Sequence, residues 1–332
     1  MSKCYGCLED KILKDNYCSS CIKELFSGTV PKPLSFDREE FYVARKNLAS
    51  RMSISGVQDK ISLSFENKEL KPTATNGKYI LKPVPRNSDE LENKEDVIYN
   101  EHVSMLISKK VFGLNTAACG IIKFSDGENA YITKRFDYDE VTGLKYDQED
   151  FASILEVTSS THGADYKYSA KSYLDCGLAI KKFVSASIPA TEEFFKRIIL
   201  NYLISNGDAH LKNFSLFSSP GAKDYMLTPN YDILNTRYHV SDSYMALDLL
   251  DVYSQAHKVY GYPTFYDFEK FAKYLDIKDN RLKKIIELIK NSEDKIIELV
   301  EKSFLSDSAK SFYIQKYKER LKMFFYSYPK EN

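Results

Sequence analysis

The sequence predicts an α+β chain of two lobes, strand-rich first and helical afterwards, with a small cysteine module at its N-terminus. Three observations carry this expectation. Short alternating segments at 61–65 (ISLSF) and 78–82 (KYILK) lie early, whereas from Asp150 onward apolar residues recur at spacings of three and four. Four of the six cysteines fall within the first 21 residues. In the helical half, an apolar helix runs into the polar loop Asp208-Ala-His-Leu-Lys-Asn213, followed by a hairpin pattern that ends at Asp232.

Bulk properties narrow the classes. A chain of 332 residues can bury a large core. Lys+Arg and Asp+Glu both number 47, so no net field favours nucleic acid or membrane. There is no apolar run long enough to span a bilayer and no apolar signal-peptide core near Met1, so a soluble, cytoplasmic protein is expected. Cys119 and Cys176 stand alone in apolar surroundings, as reduced buried thiols do.

At the N-terminus, Cys4-x-x-Cys7 and Cys18-x-x-Cys21 form the spacing of a four-thiolate Zn²⁺ site. Disulfides are the alternative, and a cytosolic chain argues against them. All four ligands are sulfur, so the ion's role is structural. Only Lys3, Lys11, Lys14 and Lys23 offer charge to a phosphate backbone. Val30-Pro-Lys-Pro33 reads as a stiff linker, so 1–28 is expected as a module and its deletion to leave an active fold if it serves partners.

A helix is expected at 36–52, then the turn Ser53-Ile-Ser-Gly-Val-Gln58 leading to strands at 61–65 and 78–82. The helix at 96–110 carries Glu101, which is either a partner for Lys82 on the second strand or an ordinary solvated helix residue. Segments 117–124 and 129–134 form a hairpin around Ser125-Asp-Gly-Glu128. The segment after it, through Asp137, leads into the helical lobe. Helices follow at 151–156, 172–184 and 192–205, the last stopped at Asn206-Gly207, where glycine takes a left-handed conformation. Further helices are expected at 267–275, 282–289, 292–301 and 308–325, with stripes such as Leu282, Ile285, Ile286 and Ile289 packing the core.

Asp208, Asn213 and Asp232 supply what phosphoryl transfer needs: a carboxylate to receive a hydroxyl proton, and an amide oxygen with a second carboxylate to hold Mg²⁺. The same residue types serve as ordinary turn and cap residues. The apolar helix before them and the hairpin after them favour the chemical reading.

The stretches SISGVQDK (53–60), YILKP (79–83), NEHVSML (100–106), ITKRFDY (132–138), QEDFASIL (148–155), SNGDAHLKNFSLF (205–217) and LTPNYDIL (227–234) stand in the order found in HipA-type serine/threonine kinases. The resemblance spans about 34–310. It implies a two-lobed fold similar to protein kinases and phosphoinositide kinases, with an N-lobe at 34–138 and a helical C-lobe at 139–328. It also implies an ATP- and Mg²⁺-dependent protein kinase acting as the toxin of a toxin–antitoxin module. By that resemblance Asp208 looks like the proton acceptor, Asn213 and Asp232 like the Mg²⁺ ligands, and Lys82 like the lysine on the ATP phosphates. Ser55, Gly56, Val57, Gln58, Asp59 and Lys60 resemble the phosphate-side loop. Lys134, Arg135 and Phe136 resemble the adenine segment, while His210, Lys212 and Tyr231 flank the catalytic residues. Ser53 and Ser55 stand where relatives autophosphorylate and switch themselves off.

Two departures qualify the match. The stretch before Ser53 is short, similar to HipT-like kinases of tripartite modules, where a small separate protein supplies the missing N-terminal subdomain. The cysteine module lies outside the family pattern. The resemblance further implies a HipB-like helix-turn-helix antitoxin as partner, DNA contact only through that antitoxin, no membrane, and an aminoacyl-tRNA synthetase as substrate. A small-molecule phosphotransferase and a non-catalytic, zinc-headed binding module are the alternatives.

Overall fold

The computed structural model describes residues 2–49, 58–86, 91–139 and 142–326. A minimal ribbon of β1 (Ser2–Lys3) and β2 (Asp10–Lys11) precedes α1 (Ser19–Phe26) and α2 (Arg38–Ala49). The first lobe is an antiparallel sheet of β3 (Ile61–Glu66), β4 (Glu69–Pro72), β5 (Tyr79–Pro83), β6 (Cys119–Lys123) and β7 (Asn129–Lys134), in the order β4-β3-β5-β7-β6. Between β5 and β6 the chain forms α3 (Val97–Lys110). The β5–β7 register sets Lys82 opposite Tyr131.

The second lobe begins with β8 (Asp147–Asp150) and the short helices α4 (Phe151–Ile154), α5 (Ser159–His162) and α6 (Tyr166–Ser169). The longer α7 (Tyr173–Phe183) and α8 (Ser187–Leu203) pack together. Strands β9 (Ser215–Ser218) and β10 (Met226–Leu227) join β8 in a small sheet. The lobe closes with α9 (Gln255–Tyr260), α10 (Phe265–Tyr274), α11 (Asp279–Lys290), α12 (Glu293–Lys302) and α13 (Asp307–Phe324). No helix among the described residues is long and apolar enough to cross a membrane.

Three expectations need correction. Helix α8 starts at Ser187, ahead of the expected 192, because Pro189 falls in the first turn, where its missing N–H costs nothing. The left-handed residue after α8 is Ser205 (φ 59°), and Gly207 is not the helix stop. Gly207 is needed for close approach instead: a Cβ there would stand 2.4 Å from the Asp242 carboxylate and 2.7 Å from the Ser243 carbonyl oxygen. The cysteine module is also no loose appendage. Tyr17, Leu25 and Phe26 are buried in one apolar cluster with Ile61, Leu81 and Ile132 of the sheet. Gly120 on β6 admits the module, since a Cβ there would lie 3.1–3.2 Å from Tyr17, Leu25 and the Tyr5 carbonyl.

Helix α3 is buried on nearly every face, which explains its weak amphipathic pattern. Its buried polar side chains each find a partner on a different element. Asn100 donates to the Asn235 carbonyl at 2.9 Å and accepts from the Asn235 N–H at 2.8 Å. His102 Nε2 lies 2.9 Å from the Gly6 carbonyl of the module. Ser104 and Tyr313 of α13 share a hydrogen bond of 2.9 Å. The helix that carries Glu101 is therefore held by the cysteine module, the C-terminal helix and the segment after Asp232.

Candidate active site

The site forms where β5, α3, the loop after α8 and the segment after β10 converge. Lys82, at the inner end of β5, donates to both oxygens of Glu101, at 2.8 and 2.9 Å, and to Asp232 Oδ1 at 2.6 Å. The Lys82 and Glu101 side chains are only 7% and 2% exposed, so this ion pair is screened little by solvent. Burial opposes the Lys82 charge, yet Asp232 and Glu101 outweigh it and raise the lysine above its ordinary value. Glu101 is pulled the other way: burial raises its carboxyl against the pull of Lys82. Two carboxylates share one ammonium, and burial weighs against the charge of both.

Asp232 adopts φ 57°, a left-handed conformation that aspartate tolerates better than most residues. Burial works against its charge, but Lys82 and Lys60 hold the carboxyl at about 2. Its Oδ2 accepts from Asn213 Nδ2 at 3.3 Å. Asn213 Oδ1 is buried and has no hydrogen-bond partner among the described residues. An unpartnered amide oxygen beside an ionised carboxylate is the donor set of a hard divalent cation, so these residues fit Mg²⁺.

The loop from Asn206 to Asn213 is cross-braced. Gly207 N–H donates to Thr236 Oγ1 at 2.8 Å, and Asp208 N–H donates to Asn206 Oδ1 at 3.2 Å. His210 Nδ1 accepts from the Lys212 N–H at 3.3 Å, capping a single helical turn at Leu211–Asn213. Its Nε2 lies 3.9 Å from Asp208 Oδ1, and burial keeps this imidazole below its ordinary pKa despite the nearby carboxylate. The Asp208 side chain itself is 47% exposed. Tyr231 is locked by Ser215 at 2.5 Å and donates to the Lys212 carbonyl at 3.2 Å, while its ring meets Phe136 at 5.4 Å. Lys212 Nζ lies 3.6 Å from Asp150.

Other residues named from the sequence are placed as follows. Gln58 donates to the Pro83 carbonyl at 3.2 Å, and Asp59 pairs with Arg45 of α2 at 2.8 Å. Lys60 faces inward; burial lowers its pKa against the attraction of Asp232. Ser53, Ser55, Gly56 and Val57 lie outside the described residues. The Lys134 N–H donates to Ala118 and the Arg135 N–H to Lys78, so both are engaged within the sheet. The Lys134 side chain reaches Ser27 of the module at 2.9 Å, and Arg135 pairs with Asp137 at 2.6 Å. Tyr168, which sequence patterning did not single out, donates to Asp208 Oδ1 at 2.5 Å. Its short helix has no apolar periodicity to announce it.

Away from this cleft, the sulfurs of Cys4, Cys7, Cys18 and Cys21 all lie within 4.8 Å of one another. The Cys7–Cys18 separation is 3.8 Å, about the edge of a tetrahedron with Zn–S bonds of about 2.3 Å. Cys4 Sγ accepts from the Gly6 and Cys18 N–H groups at 3.4 and 3.2 Å, which suits a thiolate. The four thiols fit a closed Zn²⁺ site.

A family model described as the HipA-like C-terminal domain matches residues 52–296. A protein of Haemophilus influenzae, provisionally named a kinase, is 28% identical over 304 residues, covering 87% of this chain and 86% of its own. The serine/threonine-protein kinase toxin HipA of Shewanella oneidensis is 24% identical, over 64% of this chain and 49% of that protein. The chain thus spans about half the length of that relative. Among solved structures, Shewanella oneidensis HipA, in a complex with HipB and operator DNA, superposes with TM-score 0.59 at 20% identity, over 82% of this chain and 63% of that one. The Helicobacter pylori proinflammatory kinase CtkA superposes with TM-score 0.52 at 18% identity, over 82% and 90%. The two-lobed arrangement is the fold of those kinases.

Proposed function

The chain belongs to the HipA-like C-terminal domain family, and on that premise we propose that it is an ATP-dependent serine/threonine protein kinase, the toxin of a toxin–antitoxin module. The observation that carries this reading is the unpartnered Asn213 Oδ1 beside Asp232, with Lys82 bonded to Asp232 and Asp208 on the same loop as Asn213. Bound Mg²⁺ would offset charge on the nucleotide phosphates, with Asn213 and Asp232 as its protein ligands. Lys82, steadied by Glu101, presents a fixed positive charge to those phosphates. Asp208 orients the acceptor hydroxyl and takes its proton, and the braces from Thr236 and Asn206 keep its loop in place.

Zn²⁺ on Cys4, Cys7, Cys18 and Cys21 would be structural, pinning the module against α3. Shewanella oneidensis HipA was solved with HipB and DNA, which supports a HipB-like antitoxin as partner here, with DNA reached only through it. An aminoacyl-tRNA synthetase as substrate, a small separate N-subdomain protein and autophosphorylation at Ser53 or Ser55 rest on the sequence resemblance.

Incubating the protein with labelled ATP and cell lysate tests the reading. Transfer to a protein band by wild type, reduced by about a hundredfold or more in D208N, is the expected result. Label appearing only on small molecules would favour a small-molecule phosphotransferase, and no transfer at all would sink the kinase assignment. Phosphate on Ser53 or Ser55 in wild type and not in D208N would establish self-modification.

A further inference from the structure

The Tyr168 hydroxyl donates to Asp208 Oδ1 at 2.5 Å, a length typical of an O–H bound to a carboxylate. In a kinase that carboxylate receives the O–H of the substrate serine or threonine. A phenol and an aliphatic hydroxyl offer the same group to it, one proton on one oxygen. Both therefore compete for the same acceptor. We propose that Tyr168 is a displaceable stand-in for the acceptor hydroxyl, a plug that a protein substrate must remove before Asp208 can serve it. The proposal rests on the kinase reading above.

The surroundings of Tyr168 fit a group that comes and goes. It lies on α6, a single turn, and neither α5 nor α6 contains a buried residue. The hydrogen bonds within this stretch are local, such as Thr161 N–H to Thr158 and Ser169 N–H to Asp165. Among the described residues, the Tyr168–Asp208 bond is the only hydrogen bond tying 159–169 to anything beyond its flanking residues Thr158 and Ala170. The ring rests edge-on against His210, with centroids 4.9 Å apart, so it covers the loop and does not pass through the core. Gly163, at φ 82°, separates α5 from α6 and supplies a pivot that other residues would resist. Swinging the Tyr168 side chain away breaks one hydrogen bond and one ring contact, while Tyr166 of the same turn stays packed against the core.

The contrasting role is a permanent brace that orients Asp208 for catalysis. The two roles differ in kinetic signature. A plug raises the apparent KM for the acceptor, because only the open fraction binds it. A brace contributes to the chemical step, and its loss lowers kcat.

The test is Y168F, which keeps the ring on His210 and removes only the hydroxyl. Steady-state transfer to dephosphorylated casein would be measured at saturating ATP·Mg²⁺, with KM for ATP determined in parallel. The expected result is a casein KM lowered by about tenfold, the scale of one bond to a charged acceptor, with KM for ATP unchanged. A lower kcat at unchanged casein KM would make Tyr168 a brace and overturn the proposal. Unchanged casein kinetics would overturn it too. Phosphotyrosine at 168 in wild type but not in D208N would make Tyr168 an acceptor and not a plug. If neither wild type nor Y168F phosphorylates any protein, the kinase reading itself falls, an outcome distinct from the failure of the plug alone.

Discussion

Lys82 Nζ lies 2.6 Å from Asp232 Oδ1, so a strand residue of the first lobe grips the metal-ligand candidate of the second. The two are separated by 150 positions in the chain, and their contact closes the cleft from behind. Four consequences follow from this contact and its neighbours.

The first concerns pH. Burial opposes the Asp232 charge, but Lys82 and Lys60 hold the carboxyl at about 2, below the ordinary value of about 3.9. A depressed folded value contributes stability above the unfolded value and loses it as pH falls through the folded one. Wild type should therefore resist urea better than D232N at pH 7, with the gap closing between about pH 4 and about pH 2. Urea midpoints for both proteins across that range are the check. A gap that does not change with pH would mean that the ion pair contributes nothing.

The second concerns Glu101. Removing one partner of a buried pair leaves a charge with less compensation, at a cost of about 3 kcal/mol. E101A should lose about that much in urea unfolding, and E101Q less, since its amide oxygen still accepts from Lys82. Both should also weaken phosphoryl transfer, because Lys82 would lean toward Asp232 alone. Equal stability of E101A and wild type would count against this arrangement.

The third concerns the cysteine module. Purified protein should hold one equivalent of Zn²⁺, and thiol-reactive release of the ion should lower the melting temperature by about 5 °C or more. Deleting residues 1–28 removes Tyr17, Leu25 and Phe26 from the core that also contains Ile61 and Ile132. Each such side chain contributes about 1.5–3 kcal/mol, so the truncated chain should lose cooperative unfolding. Calorimetry of the truncated and full chains decides this, and a truncated protein that melts like wild type would refute it.

The fourth concerns Gly207. G207A would drive a methyl group into Asp242 and the Ser243 carbonyl, and overpacking of this kind costs about 1–3 kcal/mol. Because Gly207 adjoins Asp208, kcat should fall more than KM for ATP rises, the nucleotide being held by Lys82 of the first lobe and by Asn213 and Asp232. A compensating D242A change should recover part of the loss, and failure of that rescue would place the fault elsewhere.

By itself the sequence determined the composition of the site: the Asp208–Asn213 loop, Asp232, Lys82 on its strand, Glu101 on its helix, and the paired cysteines. Spacing announces the Asp208–Asn213 loop, Asp232 and the cysteines, whereas Lys82 and Glu101 are given only an element by periodicity and take their roles from the family resemblance. It also marked most of the longer helices, such as α11 and α12, whose apolar stripes are strong. It passed over β4 and β8, which are four-residue strands defined by their partners in the sheet. Tertiary structure alone decided that Lys82 serves two carboxylates, that His102 ties the module to α3, that Gly207 makes room for Asp242, and that Tyr168 lies on Asp208. These relationships join residues between 19 and 150 positions apart. Local periodicity is silent about such pairs, because whether two distant polar groups meet depends on how lobes pack and which charges are driven from water together.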